Sequence, residues 1–140
     1  MSQAIVRASI LVKDYDEAID YFRYNLGFTV SEDELITEKD KRWVVMSAPG
    51  TSGAAIVLVK AKSPQQLERV GNQAADGVFL FLGTTDFWTD YLAMQRRGVV
   101  FVTAPQETPY GIVAIFTDLY GNKWDLIQFK ETHPMHKRVW

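Results

Sequence analysis

The strongest constraint on this chain is that it repeats itself. Asp14 and Asp86 each end an apolar, β-branched run (6–12 and 78–82) and open a helical pattern, and laying one on the other gives an offset of 72 residues. In the first copy Asp14 and Glu17 have the spacing of a capping box, with both acids at the positive end of a helix. Tyr15, Ala18, Ile19, Phe22 and Leu26 then share one apolar face, and Gly27 supplies the stop. In the second copy Asp86 caps and Gly98 stops. Strand patterns follow the first helix at 28–32, 42–47 and 54–60, and the second at 99–103, 112–117 and 123–129. The segments between them read as turns: charged at 38–41, rich in glycine and serine at 49–53, and loops at 105–111 and 118–122. The spacing predicts an α+β fold of two βαβββ modules, about 4–61 and 77–130, within a single domain. The connector, 62–76, carries a short helix that starts at Ser63-Pro64 and ends at Gly71, and 131–140 is a tail.

Composition then narrows function by exclusion. With no cysteine among 140 residues there is no disulfide framework, no thiolate metal site and no cysteine nucleophile. The longest apolar runs, 54–59 and 77–83, are strand-sized and fall short of the roughly 20 residues of a membrane helix. No basic region followed by an apolar stretch opens the chain, so the expected location is cytoplasmic. The net charge is −2 and the basic residues are spread rather than gathered in a stripe, which argues against nucleic acid as a partner. Aromatic residues make up 13%, enough for a core and for an apolar cavity or a partner surface besides. The two histidines, His133 and His136, lie in the tail with Pro134 between them, which argues against a regular helix and for a surface segment.

Three stretches are more specific. They are 10–14 running through Tyr21-Phe22 to 26–28, Asp86 running to Gly98-Val99, and above all Pro109-Tyr110-Gly111 followed by Phe116-Thr117-Asp118-Leu119-Tyr120-Gly121-Asn122-Lys123-Trp124-Asp125-Leu126. Together they resemble the vicinal oxygen chelate superfamily, which includes glyoxalase I, bleomycin-resistance proteins and extradiol dioxygenases. The resemblance implies curled mixed sheets around a cup, in which the catalytic members hold a divalent metal at four equivalent strand positions. Counted back seven residues from each helix cap, two of these are Arg7 and Phe79. Counted seven residues on from Asp118, the third is Asp125, and its counterpart in the first module, aligned through Gly53 and Gly121, is Val57. A catalytic metal needs about three protein ligands, and only Asp125 can serve as one. No metal and no other cofactor is expected.

Strand alternation places Arg7, Ser9 and Leu11, then Ala55, Val57 and Val59, then Phe79 and Phe81, then Asp125, Ile127 and Phe129 toward the cup. That lining is mostly apolar with one cation, one anion and a hydroxyl, the make-up of a small-molecule pocket. Arg7 and Asp125 are expected to pair, since either charge alone carries a desolvation cost. Tyr110 lies in a loop that borders the cup in the superfamily, where its hydroxyl would orient a ligand. The ligand-binding set is thus Arg7, Ser9, Val57, Phe79, Phe81, Tyr110 and Asp125. Trp43 and Trp124 read as core, and Trp88, near the start of the second helix, as packing or interface.

Two functions follow. The first is a metal-free, homodimeric binder of a small apolar or aromatic molecule, similar to the sequestering bleomycin-resistance type, with Val139-Trp140 placed to contact a partner subunit. The second is a glyoxalase-like lyase, isomerase or dioxygenase, metal-dependent or working by acid–base chemistry through Asp125, with Arg7 stabilising an enolate or carboxylate and Tyr110 nearby. An aspartate beside an arginine has a lowered pKa and is a weak base, which counts against this second reading.

Overall fold

The computed structural model describes residues 1–36, 41–50 and 53–139. The charged turn around Lys39, the centre of the 49–53 turn and Trp140 lie outside the described residues. The chain divides into two units, Met1–Pro49 with Gly53–Val70, and Gly71 onward.

The first unit runs β1 (Arg7–Val12), α1 (Tyr15–Asp20), β2 (Thr29–Ile36), β3 (Lys41–Ser47), β4 (Ala55–Lys60) and α2 (Pro64–Arg69). Asp14 caps α1, its carboxylate accepting from the Glu17 amide at 2.9 Å. The helix does not stay α-helical to its glycine stop: residues Tyr21–Asn25 form a π-helical turn, after which Gly27 takes φ 75°. Ser63 and Gln66 make the reciprocal capping box that starts α2. Strand order is β1-β4-β3-β2, with β1 and β4 parallel and the other pairs antiparallel. Ile10, Val12, Val44, Met46 and Leu58 are buried together with Ala18, Ile19 and Phe22 of the helical segment.

The second unit repeats this plan with β5 (Val78–Gly83), α3 (Phe87–Arg96), β6 (Val100–Phe101), β7 (Gln106–Thr108), β8 (Gly111–Thr117) and β9 (Lys123–Phe129). The order is β5-β9-β8-β6, again with the outer strand parallel to the last one, and β7 pairs with β8. Strand 99–103 is shorter than its pattern predicts, and β7 forms inside the stretch expected to be a loop. Thr103 explains part of this, because its hydroxyl accepts from the Ile115 amide and replaces a ladder bond. Trp124, Leu126, Phe116 and Phe87 form the core beneath α3, so Trp124 is core as expected. Asp118 holds the 118–122 turn: Oδ1 accepts from the amides of Tyr120, Gly121 and Asn122, and Oδ2 from the Asn122 amide group and the Trp124 indole. The tail turns back on β9 as a 3-10 turn, Pro134–Arg138. His133 caps it and stacks on Phe129 at 4.8 Å, while His136 donates through Nδ1 to the Phe129 carbonyl at 3.1 Å. Among the described residues no helix is long and apolar enough to cross a membrane.

Candidate functional site

The register of the two parallel strand pairs tests the repeat independently of the helix caps. Ser9 lies opposite Val57 in the first sheet and Phe81 opposite Asp125 in the second. Ser9 and Phe81 differ by the same 72 residues as the caps, so two alignments made on different landmarks bring the same positions together. The chain therefore carries two corresponding strand faces with different side chains.

On the first sheet, Arg7, Ser9 and Leu11 stand opposite Ala55, Val57 and Val59, on the face away from buried Ile10 and Val12. The expected Arg7–Asp125 pair is not made. Arg7 reaches from one edge strand to Glu32 on the other at 2.6 Å, and its guanidinium lies 5.9 Å from the centre of the Trp43 ring. Both partners of this pair are more than a third exposed, so it contributes little, about 0–1 kcal/mol. Glu32 and Trp43 belong to this face through the pairing of Glu32 with Val45 and of Val45 with Val57. Alternation along β2 could not find Glu32, because a bulge between Val30 and Glu32 resets its parity. Trp43 is half-buried under Arg7 rather than sealed in the core.

On the second sheet, Gln128 accepts from the Phe87 amide at the start of α3 and so fixes which face of β9 meets the helix. Asp125 and Ile127 face the other way, with Phe81 opposite Asp125 on β5 and Ile115 opposite it on β8. Phe81 is 66% exposed, while Asp125 is only 8% exposed. The Asp125 Oδ1 atom is buried and has no hydrogen-bond partner among the described residues. Burial pushes the carboxyl above its ordinary value, the opposite of the lowering that an arginine neighbour would impose. Lys123, two residues away on the same strand, does not neutralise it: its ammonium donates to the Asp76 carbonyl at 3.1 Å. Phe79 is the extra residue of a bulge between Val78 and Leu80, two residues before Phe81 on β5. Phe129 is held by the tail. Tyr110 lies at the β7–β8 turn, beyond Gly111, whose strand partner is Phe129; four residues of β8 separate Gly111 from Ile115, about 13 Å. It is not brought to Asp125.

Two small cavities open at the far end of β9. One of about 170 Å³ lies between Thr84, Thr85, Gln128, Phe129, His136 and Val139, and one of about 210 Å³ is bordered by Trp88, Glu107, Ile112 and Lys130. Neither includes a residue of the expected ligand-binding set. Their central polar groups are satisfied: Thr84 donates to Asp90 and accepts from the Asp86 amide, and Gln128 holds α3.

A sequence model of the Glyoxalase/Bleomycin resistance protein/Dioxygenase superfamily matches residues 4–126. The chain belongs to this superfamily. Within it, the chain is 51% identical over 135 residues to a protein of Shewanella frigidimarina strain NCIMB 400, covering 96% of this chain and 100% of that one. It is 28% identical to YurT of Bacillus subtilis strain 168, over 89% of this chain and 98% of YurT. Among solved structures it is similar to TnmS3, described as an antibiotic binding protein from Streptomyces sp. CB03234, with a TM-score of 0.75, 28% identity, and coverage of 92% and 98%.

Members of the superfamily that hold a metal need donors at the four positions considered above. Here those positions carry a guanidinium bound to Glu32, an aliphatic side chain, an aromatic ring and one carboxyl. Among the described residues no three His, Cys, Asp or Glu side chains are grouped so as to hold a metal ion. The donor set does not fit the metal of this superfamily.

Proposed function

We propose that this superfamily member binds a small apolar or aromatic molecule, as a homodimer in the cytoplasm, and sequesters it without a metal. The observation that supports this most is the face around Asp125: apolar Phe81, Ile115 and Ile127 surround a single buried carboxyl whose Oδ1 meets no donor among the described residues. A few polar groups set in an apolar lining are what small-molecule sites use to orient a ligand. The likeness to TnmS3 agrees with such a role. The face carrying Arg7, Ser9 and Val57 is the corresponding surface of the first module. A thermal-shift screen of aromatic and amphiphilic compounds, with metal analysis of protein purified without chelator, tests the reading. Stabilisation by an aromatic compound with metal far below one equivalent is expected. Near-stoichiometric metal lost on changing Asp125 to alanine overturns it.

One observation favours the second reading, a lyase or isomerase working by acid–base chemistry. A carboxyl raised by burial is a better proton acceptor than one paired with arginine, and Asp125 is such a group. This reading predicts deuterium exchange next to the carbonyl of a bound substrate, lost in Asp125→Asn; exchange at the uncatalysed rate refutes it.

A further inference from the structure

We propose that Asp125 selects ligands bearing a protonated amine on an aromatic body. The inference rests on the small-molecule site proposed above and names the chemistry that site recognises. A buried carboxylate is stable only beside a cation or several donors, and the described residues supply neither to Oδ1. The cation nearest by strand position, Lys123 on the same strand, is already engaged with the Asp76 carbonyl. The groups facing Asp125 from the neighbouring strands, Phe81 of β5 and Ile115 of β8, are uncharged. Among the described residues nothing supplies the counter-ion, and a bound ligand would supply it.

Phe81 tells what carries that charge. Phe81 is 66% exposed beside a carboxyl that keeps 8% exposure, so a flat apolar body placed against Phe81 and Ile115 brings a short ammonium arm to the exposed side of the carboxyl. Covering Phe81 removes apolar surface from water, and an ammonium near its ring gains a cation–π contact. The charge-assisted hydrogen bond replaces the absent donor. An anionic ligand of the same shape meets a like charge, and a neutral one leaves the carboxylate without its counter-ion.

The test is calorimetric titration of the full chain at neutral pH with three probes of one shape: 2-naphthylmethylamine, 2-naphthylmethanol and 2-naphthoate. The amine is expected to bind about tenfold more tightly than the alcohol and more tightly still than the carboxylate. Asp125→Asn is expected to bring amine and alcohol to within about twofold of each other. Equal binding of the three probes by the wild type, or an amine preference that survives in Asp125→Asn, overturns this inference and leaves the pocket standing. Binding of none refutes the pocket and the preference together. The wild-type comparison decides even if the variant does not fold.

Discussion

Asp125→Val gives the second module the residue the first already carries at Val57, and it should make the protein more stable. An unsatisfied buried polar group costs about 1–3 kcal/mol, and more when charged. Asp125 is such a group, with Oδ1 buried and unpaired among the described residues. Valine removes that cost, and Val57 is itself buried at the matching strand position. For a chain of this length the gain corresponds to a rise in Tm of about 4 °C per kcal/mol, hence roughly 4–12 °C. The pH dependence gives the sharper test. Burial raises the carboxyl above its ordinary 3.8, so the folded chain holds this proton more tightly than the unfolded chain does. The wild type is therefore penalised above the raised value and recovers as pH falls through it toward 3.8, whereas the valine variant has no carboxyl to titrate. Urea denaturation at about pH 7.5 and about pH 4.5 should show the variant's advantage shrinking at the lower pH. A variant less stable than wild type near neutrality, or one whose advantage is the same at both values, would refute the reasoning.

Other substitutions probe the scaffold. Asp118→Ala removes the acceptor of five hydrogen bonds and leaves the Trp124 indole N–H unpaired in the core, so a loss of about 3–5 kcal/mol is expected in urea denaturation followed by tryptophan fluorescence. Gly71 takes φ 74° and its added Cβ would collide with the Tyr120 carbonyl, so Gly71→Ala should cost at least about 2 kcal/mol. Arg7→Ala should change stability by less than about 1 kcal/mol, because its bond to Glu32 is half in solvent; a larger loss by calorimetry would mean that the Trp43 contact matters more than the ion pair.

What the sequence revealed, and what it hid, follows from which signals are local. Asp14, Ser63 and Asp86 cap helices through bonds three residues away, so those starts were legible, as was the tandem topology carried by their spacing. The strand faces were legible only as far as alternation runs unbroken: it placed Ser9 with Val57 and Phe81 with Asp125, but a bulge near Ser31 hid Glu32. The partner of Arg7 was out of reach for a different reason. Glu32 lies on the opposite edge of the sheet, and nothing in the spacing of the two residues records that contact.

The comparison within the chain bears on why Asp125 is there. Both modules share one strand order and one parallel register, so the position of Val57 and that of Asp125 make the same demand on the fold. Valine meets that demand in the first module, which means that a carboxyl is not required to build the sheet. In the first module Arg7 pairs with Glu32 on this face; in the second Oδ1 of the buried carboxyl has no such partner among the described residues. Duplication thus supplies an internal control: the scaffold is common to both halves, and the feature that weakens one half without serving its packing is the feature to assign to a ligand.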